Sequence, residues 1–374
     1  MKITFIYDAL YPEVKGGVEK RIYELGKRLA RKHEVHWYTF NWWGKEEVIE
    51  RDGIIIRGLG SPRNLYSGNR RSIKEAIDFS FRVFIKGIEK SDIIDCQEFP
   101  YIPCYPAKFH SKLAKSNLVI TWHEYWGDYW KEYLGNLAYF GKYLENNLLK
   151  LTSNHIVVSK LTLSRLLNLE LKNYSIVPNG IDTKRIKRIK PYTKGYDAIF
   201  VGRLVEHKNL EFLLKSMKFV LSEYPDFTLG IIGDGPERER LERYVKELGI
   251  SKNVEFLGFL NSHEEVISYM KSSKVFLFPS LREGFGLVVL EANASGLPVV
   301  TVDAPMNASK DLIIPGKNGY VSGLSEKSFA EKILLAYENS KKMRKMCIDI
   351  AKKYDWGVIA KKLENYYEGV LSER

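Results

Sequence analysis

Cysteine is scarce in this 374-residue chain, which contains only Cys96, Cys104 and Cys347. No two of them have CxxC spacing, so the sequence excludes a disulfide framework and a cysteine zinc signature. This usage favours a reducing compartment, and we expect a cytoplasmic protein.

Long apolar runs are also missing, since no segment approaches the ~20 residues that a membrane helix needs. The first residues, MKITFIYDALYP, contain a short apolar stretch that Asp8 and Pro12 interrupt. This pattern does not fit a secretory signal peptide.

Acidic residues are outnumbered by basic ones, 46 to 58, which gives a net charge of +12 and an isoelectric point near 9.2. A basic surface attracts nucleic acid, anionic lipid or phosphorylated small molecules. Charge alone does not choose among these partners.

The chain is long enough for two domains of ~100–200 residues, each with its own core. In the first half, β-rich runs alternate with amphipathic stretches. Glu19–Lys32 has helical spacing, with Ile22, Leu25 and Leu29 on one face. The predicted strands are Met1–Tyr7, Glu34–Phe40, Ile54–Arg57, Ile93–Cys96, Leu118–Thr121 and His155–Ser159. This alternation predicts a parallel sheet covered on both faces.

The same alternation restarts after Asn179-Gly180 and predicts a second doubly wound unit. Its strands are Asp197–Val201, Phe227–Ile232, Val254–Phe256, Val275–Pro279 and Pro298–Val302, and its helices include Leu210–Tyr224 and Glu237–Leu248. The join falls within Val177–Lys194, a proline-containing basic stretch that fits a hinge or a plain solvated linker. We therefore expect domains at residues 1–178 and 179–354.

The densest motif is FPSLREGFGLVVLEANASGLPVV, at residues 278–300. A strand ends, a glycine-rich turn follows at Glu283–Gly286, and a helix is predicted from Leu287 to Ser295 with Gly296 as its terminator. Such a turn aims backbone N–H groups and a helix dipole at one point, which suits a diphosphate. Glu291, just over one turn into the helix, could bind ribose hydroxyls or could simply favour the helix dipole.

Two further loops follow predicted strands of the second half. In VGRLVEHKN, Arg203 and Lys208 could neutralise a leaving diphosphate, because the carboxyl ends of parallel strands form the binding crevice of such sheets. Beside the glycine turn we favour that interpretation over ordinary surface charge. In IIGDGP, Gly233 could line a nucleotide base or merely turn the chain, and Arg238 stands where GxGxxG has its third glycine.

In the first half, Gly16 and Gly17 follow the first strand and open the first helix. They could present amides to a ligand or form a tight turn only. His123 lies just past a predicted strand, which raises its chance of a functional role.

Aromatic residues recur between positions 122 and 133. Trp122, Trp126 and Trp130 are spaced by four, and a helix that packs this stripe into a core is the favoured interpretation over sugar stacking. Trp42 and Trp43, in a predicted loop, could instead contact an acceptor.

Taken in order, GGVEKR, VPNGID, VGRLVEHKN, IIGDGP and EGFGLVVLEANASGLPVV resemble the retaining glycosyltransferases of family 4. The resemblance covers nearly the whole chain, and the pair Glu283 and Glu291, with seven residues between them, is its most specific element. It implies a GT-B fold, an α/β architecture of two Rossmann-like doubly wound domains facing across a cleft. The terminal segment, residues 355–374, would then pack back on the first domain.

The resemblance also implies roles for individual residues. Arg203 and Lys208 would hold the donor diphosphate, while Gly286 and Leu287 would offer amides to phosphate. Glu291 would bind the ribose. Residues at the transferred sugar and at the reacting end would be Glu283, Phe285, Gly16, Gly17 and His123.

One stretch departs from the family pattern. Family members often carry a Gly-Gly pair and a Glu shortly before the turn that is Gly316–Gly319 here. This chain has Asn307, Ala308 and Asp311 at the matching places. The identity of the sugar and the geometry of that loop are therefore open.

We expect a hexosyltransferase that moves a sugar from a UDP- or GDP-sugar to a glycan, lipid-linked or small-molecule acceptor, with retention. A GT-B nucleotide-sugar epimerase is the alternative. A dehydrogenase is disfavoured because GxGxxG follows none of the predicted strands, and nucleic-acid binding is disfavoured as the main role.

No cofactor or metal is expected, because Asp-x-Asp, the motif of metal-using transferases of the other major fold, does not occur. The excess positive charge suggests peripheral contact with anionic lipid at the inner face of the membrane.

Overall fold

The computed structural model describes residues 1–67, 70–169, 171 and 173–372. The chain forms two compact units. One comprises Met1–Asn179 with Trp356–Arg374, and the other comprises Gly180–Asp355. The first unit is therefore assembled from both ends of the sequence.

The first unit is built on a parallel sheet. Its described strands are β1 (Lys2–Ile6), β2 (Glu34–Thr39), β3 (Val48–Arg51), β4 (Ile54–Gly58), β5 (Tyr66–Ser67), β6 (Arg70–Arg71), β7 (Ile93–Gln97), β8 (Asn117–Trp122), β9 (Asn154–Val157) and β10 (Asn173–Ile176). Eight of these form one sheet in the order β10-β9-β8-β7-β1-β2-β4-β3, in which β3 alone runs antiparallel to its neighbour. The strands β5 and β6 form a separate antiparallel pair.

Helices cover both faces of this sheet. They are α1 (Gly17–Leu29), α2 (Ile73–Lys86), α3 (Cys104–Ala114), α4 (Trp130–Leu134), α5 (Ala138–Leu148) and α6 (Lys160–Leu167). Successive strand residues point to opposite faces, so Ile93 packs in the core beside α1 whereas Ile94 packs in the core beside α2 and α3.

The second unit repeats the doubly wound plan. Its elements are α7 (Thr183–Arg188), β11 (Ala198–Val201), α8 (Leu210–Glu223), β12 (Leu229–Ile232), α9 (Arg238–Glu247), β13 (Val254–Gly258), α10 (His263–Ser272), β14 (Val275–Phe278), β15 (Arg282–Glu283), α11 (Leu287–Ser295), β16 (Val299–Val302), β17 (Met306–Asn307), β18 (Gly319–Ser322) and α12 (Glu326–Lys352). The main sheet has the order β13-β12-β11-β14-β16-β18 and is parallel throughout.

The last helix, α13 (Trp356–Ser372), belongs to the first unit. The buried Tyr367 hydroxyl donates to Asp95 Oδ2 on β7 at 2.6 Å. Glu364 receives a hydrogen bond from Lys32 and lies 2.9 Å from His33 Nε2. Among the described residues, no helix combines the length and apolar character needed to cross a bilayer.

The strands predicted from the sequence are confirmed, with ends that differ by no more than two residues. The helix Leu287–Ser295 is confirmed at both ends, and Gly296 terminates it with a φ of +91°. Alternating apolar patterns with clear breakers therefore determine these elements locally.

The helical interpretation of the tryptophan stripe was wrong. Trp122 is the last residue of the strand β8, where its indole donates to His155 Nδ1 at 3.1 Å, and Trp130 is the first residue of α4. The prediction that the stripe packs into a core is confirmed for Trp122 and Trp130, which are both buried. The backbone amide of Trp126 and the indole of Trp130 both donate to the buried carboxylate of Glu145, which brings the segment together without a continuous helix.

Trp42 and Trp43 pack against the hydrophobic core of the first unit. Their indole groups donate to backbone carbonyls, of Asp8 at 2.7 Å and of Glu46 at 3.0 Å. Both side chains thus have a structural role, and their contact with an acceptor stays a prediction.

Replacing Tyr367 with Phe should lower the free energy of unfolding by about 2 kcal/mol, because it removes a hydrogen bond to a buried carboxylate. Urea unfolding followed by circular dichroism measures this change. The control is Tyr139→Phe, at a side chain that is 83% exposed, and it should change stability by less than about 0.5 kcal/mol. Equal losses in both variants would contradict the anchoring role of Tyr367.

A pH-dependent effect should follow replacement of Glu98 with Gln. Burial raises the pKa of Glu98 to about 8, so its folded pKa exceeds the unfolded value, and its contribution to stability is lost as pH rises toward 8. The Gln variant keeps an acceptor for the Glu124 amide but cannot ionise. Its stability relative to the parent should therefore rise between about pH 5 and 8, by up to ~1.4 kcal/mol per unit.

Urea unfolding at several pH values tests this, with the exposed Glu132→Gln as control. A stability difference between Glu98→Gln and the parent that stays constant with pH would show that the carboxyl ionises normally in the folded protein.

Candidate active site

The glycine-rich turn after β14 leads directly into α11. Gly286 is the residue before the helix and has a φ of +94°, a backbone conformation that favours glycine. A Cβ at this position would lie 2.6 Å from the Cβ of Ser309, so the turn is also packed too closely for a side chain. Gly286 has no side chain to cap the helix, and none of the described side chains is seen to accept a hydrogen bond from its first N–H groups, which are therefore available to an anion.

Lys208 and Glu283 form an ion pair beside this turn. Their side chains are 15% and 14% exposed, and the ammonium also lies 4.9 Å from the centroid of the Phe278 ring. Glu283 is held in β15, which pairs in parallel with β17. The loop of Lys208 is tied to the same region, because the Leu281 amide donates to the His207 carbonyl at 2.8 Å.

Arg203 lies five residues before Lys208 but is exposed. Its side chain makes no hydrogen bond or ion pair with any residue that the structure describes. The two cations share the loop that follows β11, and they differ in that only Lys208 is fixed by a carboxylate.

Glu291 projects from the second turn of α11. Its Oε1 lies 2.9 Å from Nε2 of His263, the first residue of α10. Sequence reasoning missed His263, because nothing in the sequence indicates that α10 begins beside α11. The pair places one imidazole and one carboxylate close to the uncapped helix start.

Gly233 lies where two backbone segments pack so closely that a side chain would not fit. Its φ is +135°, and an added Cβ would lie 1.9 Å from the Gly202 carbonyl oxygen. The Leu204 amide donates to the Asp234 carbonyl at 2.8 Å, so the loops after β11 and β12 are joined directly. A turn role therefore accounts for Gly233, and contact with a nucleotide base stays a prediction.

The segment that departs from the family pattern is ordered by Asn307. This fully buried amide donates to the Val302 carbonyl and accepts from the Ser309 amide and hydroxyl. Ala308 is also buried, whereas Asp311 is exposed. Asn307 thus fixes the backbone between β17 and the following turn. This position lets Ser309 pack against Gly286.

In the first unit, His123 follows β8 and is held by Gln97. The Gln97 amide donates to Asp95 Oδ1 at 3.0 Å, so its carbonyl oxygen faces His123 Nε2 at 2.8 Å. A carbonyl can only accept, so Nε2 carries the proton and Nδ1 is the acceptor. Burial, assisted by Arg21, lowers the pKa of His123 to about 3, and the imidazole is therefore neutral.

The turn at Gly16 and Gly17 is closed by Glu19. A Cβ on Gly16 would lie 2.5 Å from Glu19 Oε1, whereas one on Gly17 would meet open space. Burial raises the pKa of Glu19 to about 7. Nearby, Arg71 Nη2 lies 2.5 Å from Oδ1 of the fully buried Asp8, a buried ion pair that motif reasoning did not identify.

The structure thus brings several predicted residues together in the second unit, and it places those of the first unit in segments that follow parallel strands. Within the second unit, Lys208, Glu283, Phe285, Gly286 and Leu287 adjoin one another around the turn before α11, with Glu291 further along the helix. Within the first unit, Gly16, Gly17 and His123 follow the carboxyl ends of parallel strands. The described residues contain no cluster of three His, Cys, Asp or Glu suited to a metal ion.

Comparisons with known proteins identify the family of this chain. Residues 182–354 match the model of Glycosyl transferases group 1, and residues 15–185 match that of Glycosyltransferase Family 4. A human subunit of phosphatidylinositol N-acetylglucosaminyltransferase is 27% identical over 393 aligned positions, covering 99% of this chain and 76% of that protein. An uncharacterized glycosyltransferase of Methanocaldococcus jannaschii is 27% identical over 366 positions, covering 96% and 95%.

Solved structures show the same fold. Sucrose-phosphate synthase from Thermosynechococcus elongatus superimposes with a TM-score of 0.78 and 19% identity over the full length of both chains. HepE from Anabaena, in complex with UDP and glucose, gives a TM-score of 0.71 and 19% identity over 98% of each chain. Since the two family models together extend from residue 15 to residue 354, this chain belongs to the group 1, family 4 glycosyltransferases and has their GT-B fold.

Proposed function

We propose that this glycosyltransferase moves a hexose from a UDP- or GDP-sugar to a glycan, lipid-linked or small-molecule acceptor, with retention of anomeric configuration. One observation carries the proposal: the Lys208–Glu283 ion pair stands beside the uncapped start of α11. A fixed cation and unpaired amides at one place are what a leaving diphosphate requires.

The leaving group determines the chemistry. As the bond between the anomeric carbon and the donor phosphate breaks, negative charge grows on that phosphate and the sugar gains oxocarbenium character. Lys208, Arg203 and the amides of Gly286 and Leu287 would stabilise the phosphate. For retention, the acceptor hydroxyl attacks from the face that the phosphate leaves, and a phosphate oxygen takes the acceptor proton.

Glu291 and Glu283 would bind hydroxyl groups. A carboxylate beside a phosphate site repels the phosphate, and hydrogen bonds that it accepts from sugar hydroxyls offset this cost. A ribose supplies two such hydroxyls. Lys208 would neutralise Glu283 while it lies near the transferred sugar, so the pair could orient hydroxyls at less electrostatic cost to phosphate binding.

His123 would act through its neutral imidazole. Nε2 is committed to Gln97, which leaves Nδ1 to accept a hydrogen bond from a substrate hydroxyl. Gly16 and Gly17 would offer backbone amides at the same stage of the reaction. A cationic role for His123 is disfavoured because burial lowers its pKa to about 3.

The printed names of related proteins favour particular substrates. HepE has been solved with UDP-glucose, which supports a uridine donor, and the human relative is named for transfer to phosphatidylinositol, which supports a lipid acceptor. We propose metal-independent catalysis in the cytoplasm, with the two cations and the helix start performing the charge neutralisation that a metal performs elsewhere.

A screen of nucleotides by thermal shift should find a ligand. UDP or GDP should raise the melting temperature, because a ligand at 100 times its Kd stabilises by about 2.7 kcal/mol. Uridine and guanosine, which lack phosphate, are the matched controls, and EDTA should leave the shift unchanged. The shift should shrink in Glu291→Gln. Absence of a shift with UDP, GDP and their sugars would contradict the proposed site.

Replacing Lys208 with Ala should reduce kcat by roughly 10²–10³-fold, since loss of one charge-stabilising donor costs about 3–4 kcal/mol. Lys215→Ala is the matched control, because Lys215 is an exposed lysine of α8 that pairs with Glu211. Transfer is measured by nucleotide release, and NMR of the product gives the anomeric configuration.

Unchanged turnover in a folded Lys208→Ala protein would overturn the site. An inverted anomer would overturn retention alone. A change of the donor sugar without any acceptor would identify an epimerase instead.

A further inference from the structure

The helix α2 carries apolar side chains on two faces. Its buried face contributes Ala76, Phe79 and Val83 to the core. Its outer face presents a second stripe at a spacing of three to four residues: Ile73, Ile77, Phe81, Phe84 and Ile85, which are 51–64% exposed. A surface helix normally has one apolar face, so a second stripe that stays largely exposed is unusual.

The neighbouring helix α3 extends the same surface. Tyr105, Phe109 and Leu113 are spaced by four, and the ring centroids of Phe84 and Phe109 lie 5.2 Å apart. The two helices enclose a groove of about 390 Å³ lined by Phe81, Phe84, Phe109 and other apolar residues. Leu113, the last residue of this spacing, is 68% exposed.

The helix α5 adds further aromatic side chains. Its exposed residues are Tyr139, Phe140 and Tyr143, and the exposed Leu137 directly precedes the helix. Burial raises the pKa of the Tyr105 phenol, with smaller contributions from Cys104 and Tyr143. The exposed apolar side chains of α2, α3 and α5 are hereafter called the aromatic face.

The charges around the aromatic face are mostly positive. Lys74, Lys108 and Lys112 make no ion pair with any residue described by the structure, and α3 contains no Asp or Glu. On α2, Glu75 is buried and Asp78 is paired with Arg63 and Arg82. On α5, Glu145 is buried.

We propose that the aromatic face docks the protein on the surface of an anionic lipid membrane. Phenylalanine and tyrosine suit the interface between headgroups and acyl chains, and lysines beside them attract anionic headgroups. A second copy of the chain fits less well, because a twofold contact would bring the lysines of one aromatic face toward those of the other. This inference goes beyond the proposed reaction and concerns binding alone.

Sedimentation with lipid vesicles tests the proposal. The full chain should bind phosphatidylcholine vesicles that contain phosphatidylglycerol, bind those of pure phosphatidylcholine more weakly, and lose affinity as salt rises. The variant Phe81→Ser/Phe84→Ser/Phe109→Ser should bind at least about tenfold more weakly, since each ring loses apolar burial in the bilayer. Lys74→Glu/Lys108→Glu/Lys112→Glu should remove the preference for phosphatidylglycerol.

The matched control is Phe219→Ser/Phe259→Ser, which removes two exposed rings from the second unit, 45% and 70% exposed. It should bind vesicles like the parent. Equal loss in this control, or no binding of the parent at low salt, would overturn the proposal. A dimer that dissociates in the triple serine variant, without any vesicle binding, would assign the aromatic face to self-association instead. Melting curves verify that each variant is folded.

Discussion

Parallel strand pairing is the constraint on which both units depend. Because the strands of each large sheet, except β3, run in one direction, the loops after their carboxyl ends emerge at the same edge of the sheet. Lys208 follows β11 and Glu283 follows β14, and their side chains pair although they lie 75 positions apart in the sequence. The backbone must come close at these edges, which is why Gly233 sits against the carbonyl of Gly202.

Burial then determines the orientation and the protonation of the polar groups at these edges. Asp95 accepts hydrogen bonds from Thr121, Gln97 and Tyr367, and this ordered carboxylate sets the orientation of the Gln97 amide. That orientation decides which nitrogen of His123 is protonated. Packing as well as residue type therefore makes the His123 imidazole neutral in the first unit. The same holds for the pairing of Lys208 with Glu283 in the second unit.

Local patterns were sufficient to predict most strands of the two large sheets and the helix after Gly286. The glycine turn and the family resemblance pointed to Lys208, Glu283 and Glu291, whose roles stay predictions. The contacts of Gln97 with His123, of His263 with Glu291 and of Ser309 with Gly286 could not be predicted, because only the fold brings these residues together. The prediction of a helix around Trp126 was wrong for a related reason. Spacing by four suggests a helix, but Trp122 pairs with β9 as the last residue of β8. Periodicity shows only the local preference of a segment for helix or strand. Where the two preferences compete, tertiary contacts decide which structure forms.

The hydrogen bond between Tyr367 and Asp95 has a consequence for how the protein is made on the ribosome. The first 179 residues lack part of their core until α13 has been synthesised, whereas residues 180–355 are contiguous and complete earlier. Domains usually finish folding in the order of their synthesis. Here the order of completion is reversed, so the growing chain exposes an unfilled apolar surface around β1 and α1 until α13 has been synthesised.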